Sequence, residues 1–227
     1  MSARAPRVLL MAAAALIGLG SCQPATHTET VRVLASPDRV VLDVDLGEVR
    51  IVGADVEDVV AERSVRGLRG ALALDSRREG DALYLEARCV GLIGCRSAHT
   101  VTVPRGVDVS VKLAEGVVEL EGLEGVVDIS VGGGQVRGHG LAPRELALAV
   151  GEGPVDLSLT TPPEQLTVAV GAGDVSLSLP EGHYDYVLEA GDGVVYADPG
   201  AAPRPVLEPS PRVDVTVARG DIHLLDT

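Results

Sequence analysis

The sequence predicts an all-β protein, a parallel β-helix-like solenoid of roughly 20-residue coils preceded by a strand-rich N-terminal part. Glycines recur at intervals of 18, 19, 20, 20 and 27 residues and anchor six copies of one pattern: Gly116, Gly134, Gly153, Gly173, Gly193 and Gly220. Two residues after each anchor stands a valine or isoleucine, and apolar or aromatic residues stand five and seven positions before it. Units this short bury an apolar face only by stacking, so the repeat predicts a solenoid over residues 105–227.

The anchor glycines are interpreted as structural turns. Apolar residues lie at odd offsets before each anchor and at even offsets after it, as expected where one strand ends and another begins. Glycine supplies the backbone freedom for such a corner. The alternative is a phosphate-binding loop at VGAGDV, residues 170–175, but such a loop requires a third glycine and a following helix. Ser176 occupies the position of that glycine, and DVSLSL alternates like a strand. We therefore expect no nucleotide cofactor.

Residues 31–104 alternate less regularly and are predicted to form irregular strands within the same single domain, 31–227. The segment SRREGD, residues 76–81, has the composition of a hairpin turn between two strands. The segment DVEDVVAERSV, residues 55–65, has an alternative as one short helix with Val56, Val59 and Val60 on one face.

Residues 1–21 have the features of an export signal. Arg4 and Arg7 precede an apolar run from Val8 to Leu19 that is short for a membrane span. The sequence LGSC ending at Cys22 resembles the bacterial lipobox, which implies cleavage before Cys22 and its modification by palmitate-type acyl chains; the alternative is an ordinary secretory signal with an incidental cysteine. We expect a lipoprotein with a flexible tether at 22–30, anchored to a bacterial membrane on the periplasmic or outer side. Gln23 favours the outer membrane where one is present.

Composition argues against several partners. Loss of the two leader arginines takes the formal net charge from −14 to −16, which opposes binding to nucleic acid and to anionic headgroups. The chain has no phenylalanine or tryptophan, and therefore lacks the usual platforms for stacking bases or sugars. We expect no nucleic-acid partner.

The remaining cysteines, Cys89 and Cys95, stand in the segment RCVGLIGCR. Exported proteins keep disulfides, and the intervening loop contains two glycines that let the thiols approach each other. The sequence therefore favours a Cys89–Cys95 disulfide. A metal site is the alternative, but it needs further ligands, and His99 is the only candidate nearby.

Other polar residues are interpreted as solvated surface. The three histidines of the repeat region stand at unrelated offsets, so no metal site is expected: His139, His183 and His223. Carboxylates recur one position after the anchor at Asp174 and Asp221, and one position before it at Glu115, Glu152 and Asp192, where calcium binding is the alternative to an acidic edge. A local basic cluster comprises Arg63, Arg66, Arg69, Arg77 and Arg78, with contact to an anionic envelope polymer as its functional alternative.

The order of these features resembles the "putative adhesin" family of bacterial envelope proteins. The likeness lies in VRIVGADVEDVVAE, in DALYLEARC, and in the segment beginning VTVPRGVDVSVKLAEG, where Val103-Pro104-Arg105-Gly106 leads into the repeats. It covers most of the chain from about Val31. The resemblance implies a strand-rich start followed by coils of parallel-β-helix type, and it implies no catalytic residues.

Two hypotheses about function follow. The first is a non-enzymatic binding, adhesion or structural module that is anchored to the membrane and contacts another envelope protein or polymer. The second is an envelope enzyme acting on a polysaccharide, with Glu115, Glu152 and Asp192 as candidate acid and base. The lack of aromatic platforms argues against the second hypothesis. An envelope-stress sensor is a third possibility that the residues do not separate from an adhesin.

Overall fold

The computed structural model describes residues 25–33, 37–67, 72–89, 96–198 and 210–226. Within these ranges the protein is all-β, as the sequence predicts: the strands form one hydrogen-bonded network that is not closed, and no residue is helical. The described residues accordingly include no helix of the length and hydropathy needed to cross a membrane.

The strands fall into three groups along the chain. The N-terminal strands are β1 (Ala25–Val33), β2 (Arg39–Ala54), β3 (Val59–Gly67), β4 (Leu72–Glu79), β5 (Ala82–Cys89) and β6 (Arg96–Pro104). Two long strands follow, β7 (Asp108–Glu121) and β8 (Val127–Leu141). The third group consists of consecutive strand pairs: β9 (Glu145–Glu152) and β10 (Val155–Leu159), β11 (Gln165–Ala172) and β12 (Val175–Leu179), β13 (Asp185–Asp192) and β14 (Val195–Ala197), and β15 (Arg212–Arg219) and β16 (Ile222–Asp226).

The strands are arranged in two columns of mostly parallel pairings. In the first column β5, β2, β7, β8, β9, β11, β15 and β13 are neighbours in that order. In the second column the order is β6, β2, β7, β8, β10, β12, β16 and β14. The long strands β2, β7 and β8 take part in both columns. The pairings follow the repeat, so that residues at the same offset from a corner glycine lie side by side.

Between the two columns the chain turns at a row of glycines. Gly134 has a φ of +134°, and a Cβ built on it would lie 1.7 Å from the carbonyl oxygen of Gly116. In the same way, a Cβ built on Gly153 would lie 1.6 Å from the carbonyl oxygen of Gly134. Only glycine adopts this backbone conformation readily and leaves room for the neighbouring chain. The full row, in spatial order, is Gly47, Gly116, Gly134, Gly153, Gly173, Gly220 and Gly193.

The spatial order of the last two strand pairs is the reverse of their order in the sequence. β15 and β16 lie between β11/β12 and β13/β14, so the C-terminal pair is inserted into the stack. The connection between Ala197 and Arg212 spans residues 198–211, whereas residues 180–184 suffice between the preceding pairs, and this extra length permits the crossover. The inserted pair also carries the larger apolar side chains, because Ile222 and Leu224 stand where the outer pair has Val195 and Ala197.

The N-terminal part consists largely of antiparallel strands. β4 and β5 form a hairpin with Glu79 opposite Ala82, and Gly80 has a φ of +60° in the turn that SRREGD predicts. Residues 59–67 form β3, which is paired with β6, so the helix considered for 55–65 is wrong. β-branched residues dominate the start of β3 and favour the extended conformation. Residues 25–30 belong to β1, which is paired with β3, so the tether predicted for 22–30 is wrong over that range.

The core lies along the apolar rows that face inward from both columns. Residues two positions after the corner glycines form one such row, and they are at most 1% exposed from Val49 through Val118, Val136, Val155 and Val175 to Ile222. The alternating burial of β9 and β11 repeats the same arrangement in the first column. Buried residues from both columns belong to one continuous cluster.

Polar residues interrupt the core near its N-terminal end. Arg63 and His99 stand opposite each other on β3 and β6, and they are 2% and 3% exposed. The Nη1 of Arg63 donates a hydrogen bond to the backbone oxygen of Asp75 at 3.2 Å, while Arg63 Nε and His99 Nε2 have no partner among the described residues. Ser97 Oγ donates to the backbone oxygen of Leu46 at 3.2 Å. β1 is the other neighbour of β3, and in their antiparallel register Glu29 stands opposite Arg63.

Burial makes His99 a source of acid sensitivity. Burial, reinforced by the charge of Arg63, lowers the pKa of His99 from 6.5 to about 4. A lowered folded-state pKa means that the stabilisation is complete above pH 6.5 and is lost as pH falls through 4, because the unfolded chain binds the proton first. The contribution at neutral pH is on the order of 3 kcal/mol.

We expect the free energy of unfolding to fall more steeply between pH 6.5 and pH 4 in the wild type than in a His99→Leu variant, which has no group to titrate there. Urea denaturation at a series of pH values measures both curves. His183→Leu, at an exposed position, is the matched control and should follow the wild type. Parallel curves for the wild type and His99→Leu would contradict the assignment.

Candidate functional site

A row of charged residues crosses the outer face of the second column. It consists of residues three positions after the corner glycines, and we call it the outer row. The parallel register aligns Arg50 on β2 with Glu119 on β7, Glu119 with Arg137 on β8, and Arg137 with Asp156 on β10. Charges of opposite sign therefore alternate across four adjacent strands. The row continues with Ser176, His223 and Tyr196.

Ion pairs connect neighbouring members of the outer row. Glu119 lies between two guanidinium groups, with 3.4 Å between its Oε2 and Arg50 Nη1 and 3.7 Å between its Oε1 and Arg137 Nη1. Arg50 Nη2 also donates to Glu121 Oε2 at 2.9 Å. All four side chains are roughly half exposed, so these pairs are solvent-screened and each contributes at most about 1 kcal/mol to stability. Their polar atoms are accessible from solvent.

A groove of about 660 Å³ adjoins the outer row, and we call it the charged groove. Its lining includes Leu120 and glycines near the ends of three strands, Gly53, Gly122 and Gly140. Gly122 and Gly140 both have a φ of +61°, which is a turn conformation that glycine favours. Three arginines line the groove, Arg50, Arg105 and Arg137, with His139 beside them, and the acidic lining consists of Glu119 and Glu121.

Arg105 is fixed at the end of the charged groove. Its Nε donates to Asp55 Oδ1 at 3.0 Å, and its Nη1 donates to the backbone oxygen of Gly122 at 3.3 Å. Arg105 belongs to the Val103-Pro104-Arg105-Gly106 segment, whose turn is closed by a hydrogen bond from Val107 N to Pro104 O at 3.1 Å. The turn between β6 and β7 thus positions a guanidinium beside the groove.

A second, smaller hollow of about 320 Å³ shares the same charged residues. Arg50, Glu119 and Arg137 line both concavities, and the polar residues that line only the second are Glu48, His99 and Thr100. The guanidinium groups of Arg50 and Arg137 therefore stand beside both hollows. An extended ligand can contact them along the row instead of at a single point.

The carboxylates considered as acid and base are not brought together. Glu115 and Glu152 both stand opposite Gly133, so strand β8 separates them. Asp192 lies further along the same row, beyond β11 and β15, where it stands opposite Arg219. The register therefore spreads these three residues over six neighbouring strands.

Asp174 and Asp221 bind backbone amides in the next strand pair. Asp174 Oδ1 accepts a hydrogen bond from the N–H of Asp221 at 2.9 Å, and Asp221 Oδ1 accepts one from the N–H of Val194 at 2.8 Å. Asp174 and Asp221 share the position directly after a corner glycine because, from that position, each carboxylate reaches a backbone N–H at the next corner of the stack. Within the described ranges no group of three or more histidine, cysteine, aspartate or glutamate side chains is arranged to hold a metal ion.

The histidines of the repeat region lie apart. His139 lines the charged groove on β8, and His223 lies on β16, with β10 and β12 between them. The ring of His223 stacks on Tyr196 with 4.9 Å between centroids and an interplanar angle of 10°. His183 is exposed in the connection before β13.

The basic cluster predicted from chain proximity does not form one surface. Arg63 is buried, whereas Arg77 on β4 is bonded to Glu79 and Glu86 and lies 4.7 Å from the ring centroid of Tyr84. These carboxylates raise the pKa of Arg77, chiefly through the hydrogen bond to Glu86. Arg78 donates to the backbone oxygen of Gly80 at 3.1 Å. Arg66 is on β3, and Arg69 lies outside the described residues.

The predicted lipidation and disulfide sites are not covered by the structure. Cys22 and the whole leader, 1–21, lie outside the described residues. Cys95 lies outside them as well, and Cys89 is the last residue of β5. Lipidation at Cys22 and the Cys89–Cys95 disulfide therefore remain predictions from the sequence.

This chain is similar in form to several solved bacterial structures, although no family model and no curated protein matches it. A structure described as a putative cell adhesion protein from Clostridium sporogenes is 14% identical, covers 90% of this chain and 100% of its own, and has a TM-score of 0.49. Putative adhesins from Bacteroides fragilis and Parabacteroides merdae are 12% and 9% identical, cover 89% and 91% of this chain and 99% and 98% of their own, and each has a TM-score of 0.38. These descriptions name the family that the sequence resembles.

Proposed function

We propose that the protein is a membrane-anchored, non-enzymatic binding module of the bacterial envelope, and that the charged groove is its contact surface for an anionic envelope component. The observation that carries this proposal is the convergence of Arg50, Arg105, Arg137 and His139 on one concave surface of a chain whose net charge is strongly negative. Guanidinium groups bind carboxylate and phosphate with paired hydrogen bonds. Three guanidinium groups beside one groove are suited to contact with an anionic ligand.

The strand pairs are, in this proposal, the coils of a parallel β-helix-like solenoid. The in-register pairing of residues at equal offsets supports it, as does the row of corner glycines between the columns. Such a scaffold holds the charged part of the outer row rigidly, because β2, β7, β8 and β10 are each hydrogen-bonded on both sides. A rigid row of alternating charges matches a ligand with regularly spaced groups, such as a polysaccharide bearing carboxylates.

Arg137→Ala is expected to weaken binding of a carboxylated polysaccharide, with polygalacturonate as the defined probe, by about tenfold, the loss of one charge-assisted hydrogen bond. Its ion pair to Glu119 is the longest in the groove, at 3.7 Å, so a ligand that binds its guanidinium competes with a weaker contact there. Isothermal titration calorimetry of the full chain in detergent measures the dissociation constant, which should also rise with salt concentration.

Arg88→Ala is the matched control for the groove. Arg88 is about half exposed and bonded to Asp43 and Asp45, as Arg50 and Arg137 are bonded to glutamates, but it does not line the groove. Equal binding by the wild type and Arg137→Ala would remove the groove from the proposal. Release of new reducing ends from the polymer, abolished by Glu115→Gln, Glu152→Gln or Asp192→Asn, would instead establish the enzyme hypothesis.

Anchoring rests on Cys22 at the end of the apolar leader. Cys22→Ser is expected to abolish incorporation of a labelled fatty acid and to leave the protein unprocessed or released from the membrane, because the acyl chains supply the membrane affinity. Metabolic labelling followed by membrane fractionation measures both results. Ser21→Ala retains the cysteine and a small residue before it, and should be labelled normally. Continued labelling of Cys22→Ser would contradict the lipid anchor.

A further inference from the structure

The strand pair β13/β14 forms an open end of the stack. β13 is paired with β15 alone and β14 with β16 alone, so within the described residues the outer edge of each strand has no neighbour. Inner strands of both columns are paired on two sides. The backbone polar groups along the free edge are therefore available to another extended chain.

Apolar residues at this end are exposed where their neighbours are buried. Val195 is 38% exposed, and its register partner Ile222 is 0% exposed. Val194 and Tyr196 beside it are about half exposed. On β13, Leu188 is only partly buried, although Val215 opposite it is fully buried. Within the part of the chain that the structure describes, the end of the core is thus uncovered along both strands.

The hydrogen-bonding groups that face outward can be assigned along β13. The N–H of Asp185 donates to Pro211 O at 2.9 Å, on the side of β15. In a parallel pairing, alternate residues direct both backbone groups to the same neighbour. The N–H and C=O groups of Tyr186, Leu188 and Ala190 are therefore directed away from β15, towards the free edge.

Charge restricts what can occupy this edge. Residues 181–198 contain five acidic residues and no lysine or arginine, namely Glu181, Asp185, Glu189, Asp192 and Asp198. Arg212 and Arg219 of β15 stand opposite Asp185 and Asp192, whereas Glu189 stands opposite Thr216. Arg212 is itself bonded to Asp214 at 2.8 Å. A second copy of the chain would place like charges along the new pairing, which is unfavourable.

We propose that the free edge of β13 binds an extended, cationic segment of a partner protein as an additional strand. The partner's backbone pairs with Tyr186, Leu188 and Ala190, its apolar side chains extend the inward row over Leu188, and its lysine or arginine side chains lie beside Glu189. This is recognition by strand addition, in which backbone hydrogen bonds supply affinity and alternate side chains supply specificity. The surface is separate from the charged groove, which takes an anionic ligand.

The test uses the full chain in detergent and an acetylated, amidated peptide of four lysine–valine repeats carrying a fluorescent label. Fluorescence anisotropy at low salt is expected to show saturable binding. Glu189→Lys should weaken binding by about tenfold, because it replaces an attraction to the lysines of the peptide with a repulsion. Ala190→Pro should abolish it, because proline removes an edge N–H while leaving the pairing with β15 intact. Glu145→Lys, an exposed residue on the inner strand β9, is the matched control and should bind like the wild type.

A second peptide separates strand addition from simple charge attraction. Methylation of alternate peptide amides on the pairing edge prevents the new hydrogen bonds without changing charge. Loss of binding supports the proposal, and undiminished binding of the methylated peptide overturns it. Hydrogen exchange of the protein without peptide tests whether the edge of β13 is already covered. Protection of the Leu188 and Ala190 amides without peptide in a monomer would mean that the chain's own residues 199–209 cover the edge, and protection in a dimer would identify a second copy; either result overturns the proposal.

Discussion

Aspartate in place of Val175 is expected to unfold the strand pairs around β12. Val175 is 0% exposed and stands between Val155 and Ile222 in the inward row, so a carboxylate there would have aliphatic neighbours on both sides. Burying an unpaired charge costs several kcal/mol, against a total stability of about 5–15 kcal/mol for a domain. Val155→Asp, one strand away, should behave in the same way. Thermal melts followed by circular dichroism measure the loss.

The neighbouring outward positions supply the control for this prediction. Ser176 and Ser178 alternate with Val175 and Leu177 along the same strand and are only partly buried. Ser176→Asp and Ser178→Asp should each change the free energy of unfolding by about 1 kcal/mol or less. If substitutions at inward and outward positions reduced the melting temperature equally, the assignment of which side chains of β12 face the core would be wrong.

Gly134→Ala is expected to destabilise the fold severely, whereas Gly133→Ala, one residue earlier, should be tolerated. At Gly134 the added methyl group would collide with the carbonyl oxygen of Gly116, and the φ of +134° is unfavourable for alanine. Backbone strain and overpacking together amount to about 2–6 kcal/mol. At Gly133 a Cβ meets no atom within 4 Å, and φ is not positive.

Urea denaturation of the two variants measures this difference directly. The pair is matched in chemistry, in chain position and in unfolded-state entropy, because each replaces one glycine of the same GGG segment with alanine. A difference below about 1 kcal/mol between Gly133→Ala and Gly134→Ala would show that the corner tolerates a side chain, and that the glycine row is not required by close approach of neighbouring chains.

Much of the repeat was predictable because burial imposes period-two alternation and close packing imposes glycine at corners. The same pattern extends to Gly47, with Val40 and Leu42 before it and Val49 after it, although this copy was not among the six predicted. The intervening β3 to β6 explain the omission. They pair largely antiparallel and separate Gly47 from Gly116 in the sequence, so the spacing that revealed the other copies is interrupted.

The sequence predicts that β13/β14 and β15/β16 both belong to the stack, but it predicts their spatial order less well. Offsets from the glycine are identical in β13/β14 and β15/β16, so the offsets alone do not state which pair contacts β11/β12. The choice depends on total burial, because the inner position requires apolar residues that are covered on both sides. Ile222 and Leu224 satisfy this condition better than Val195 and Ala197 do.

The charged groove was missed because basic residues were grouped by proximity in the chain. Arg50 and Arg137 are far apart in sequence, but both stand three positions after a corner glycine, and this shared offset is visible in the sequence. The ion pairs themselves depend on which strands are neighbours, and that information lies in the topology. Arg63, grouped with Arg77 and Arg78 by proximity, instead faces the core because inward and outward positions alternate along β3.

The inserted C-terminal pair has a consequence for the order of folding. While the chain is being synthesised, β11 and β12 emerge long before β15 and β16, and the first segment available to extend the stack is β13/β14, which has the same register. Pairing of β13/β14 directly on β11/β12 is then a kinetic trap, because those contacts must break before residues 212–226 can enter. When the full chain refolds, both strand pairs compete for β11/β12, and we expect circular dichroism to show a slow phase from the molecules in which β13/β14 pairs there first.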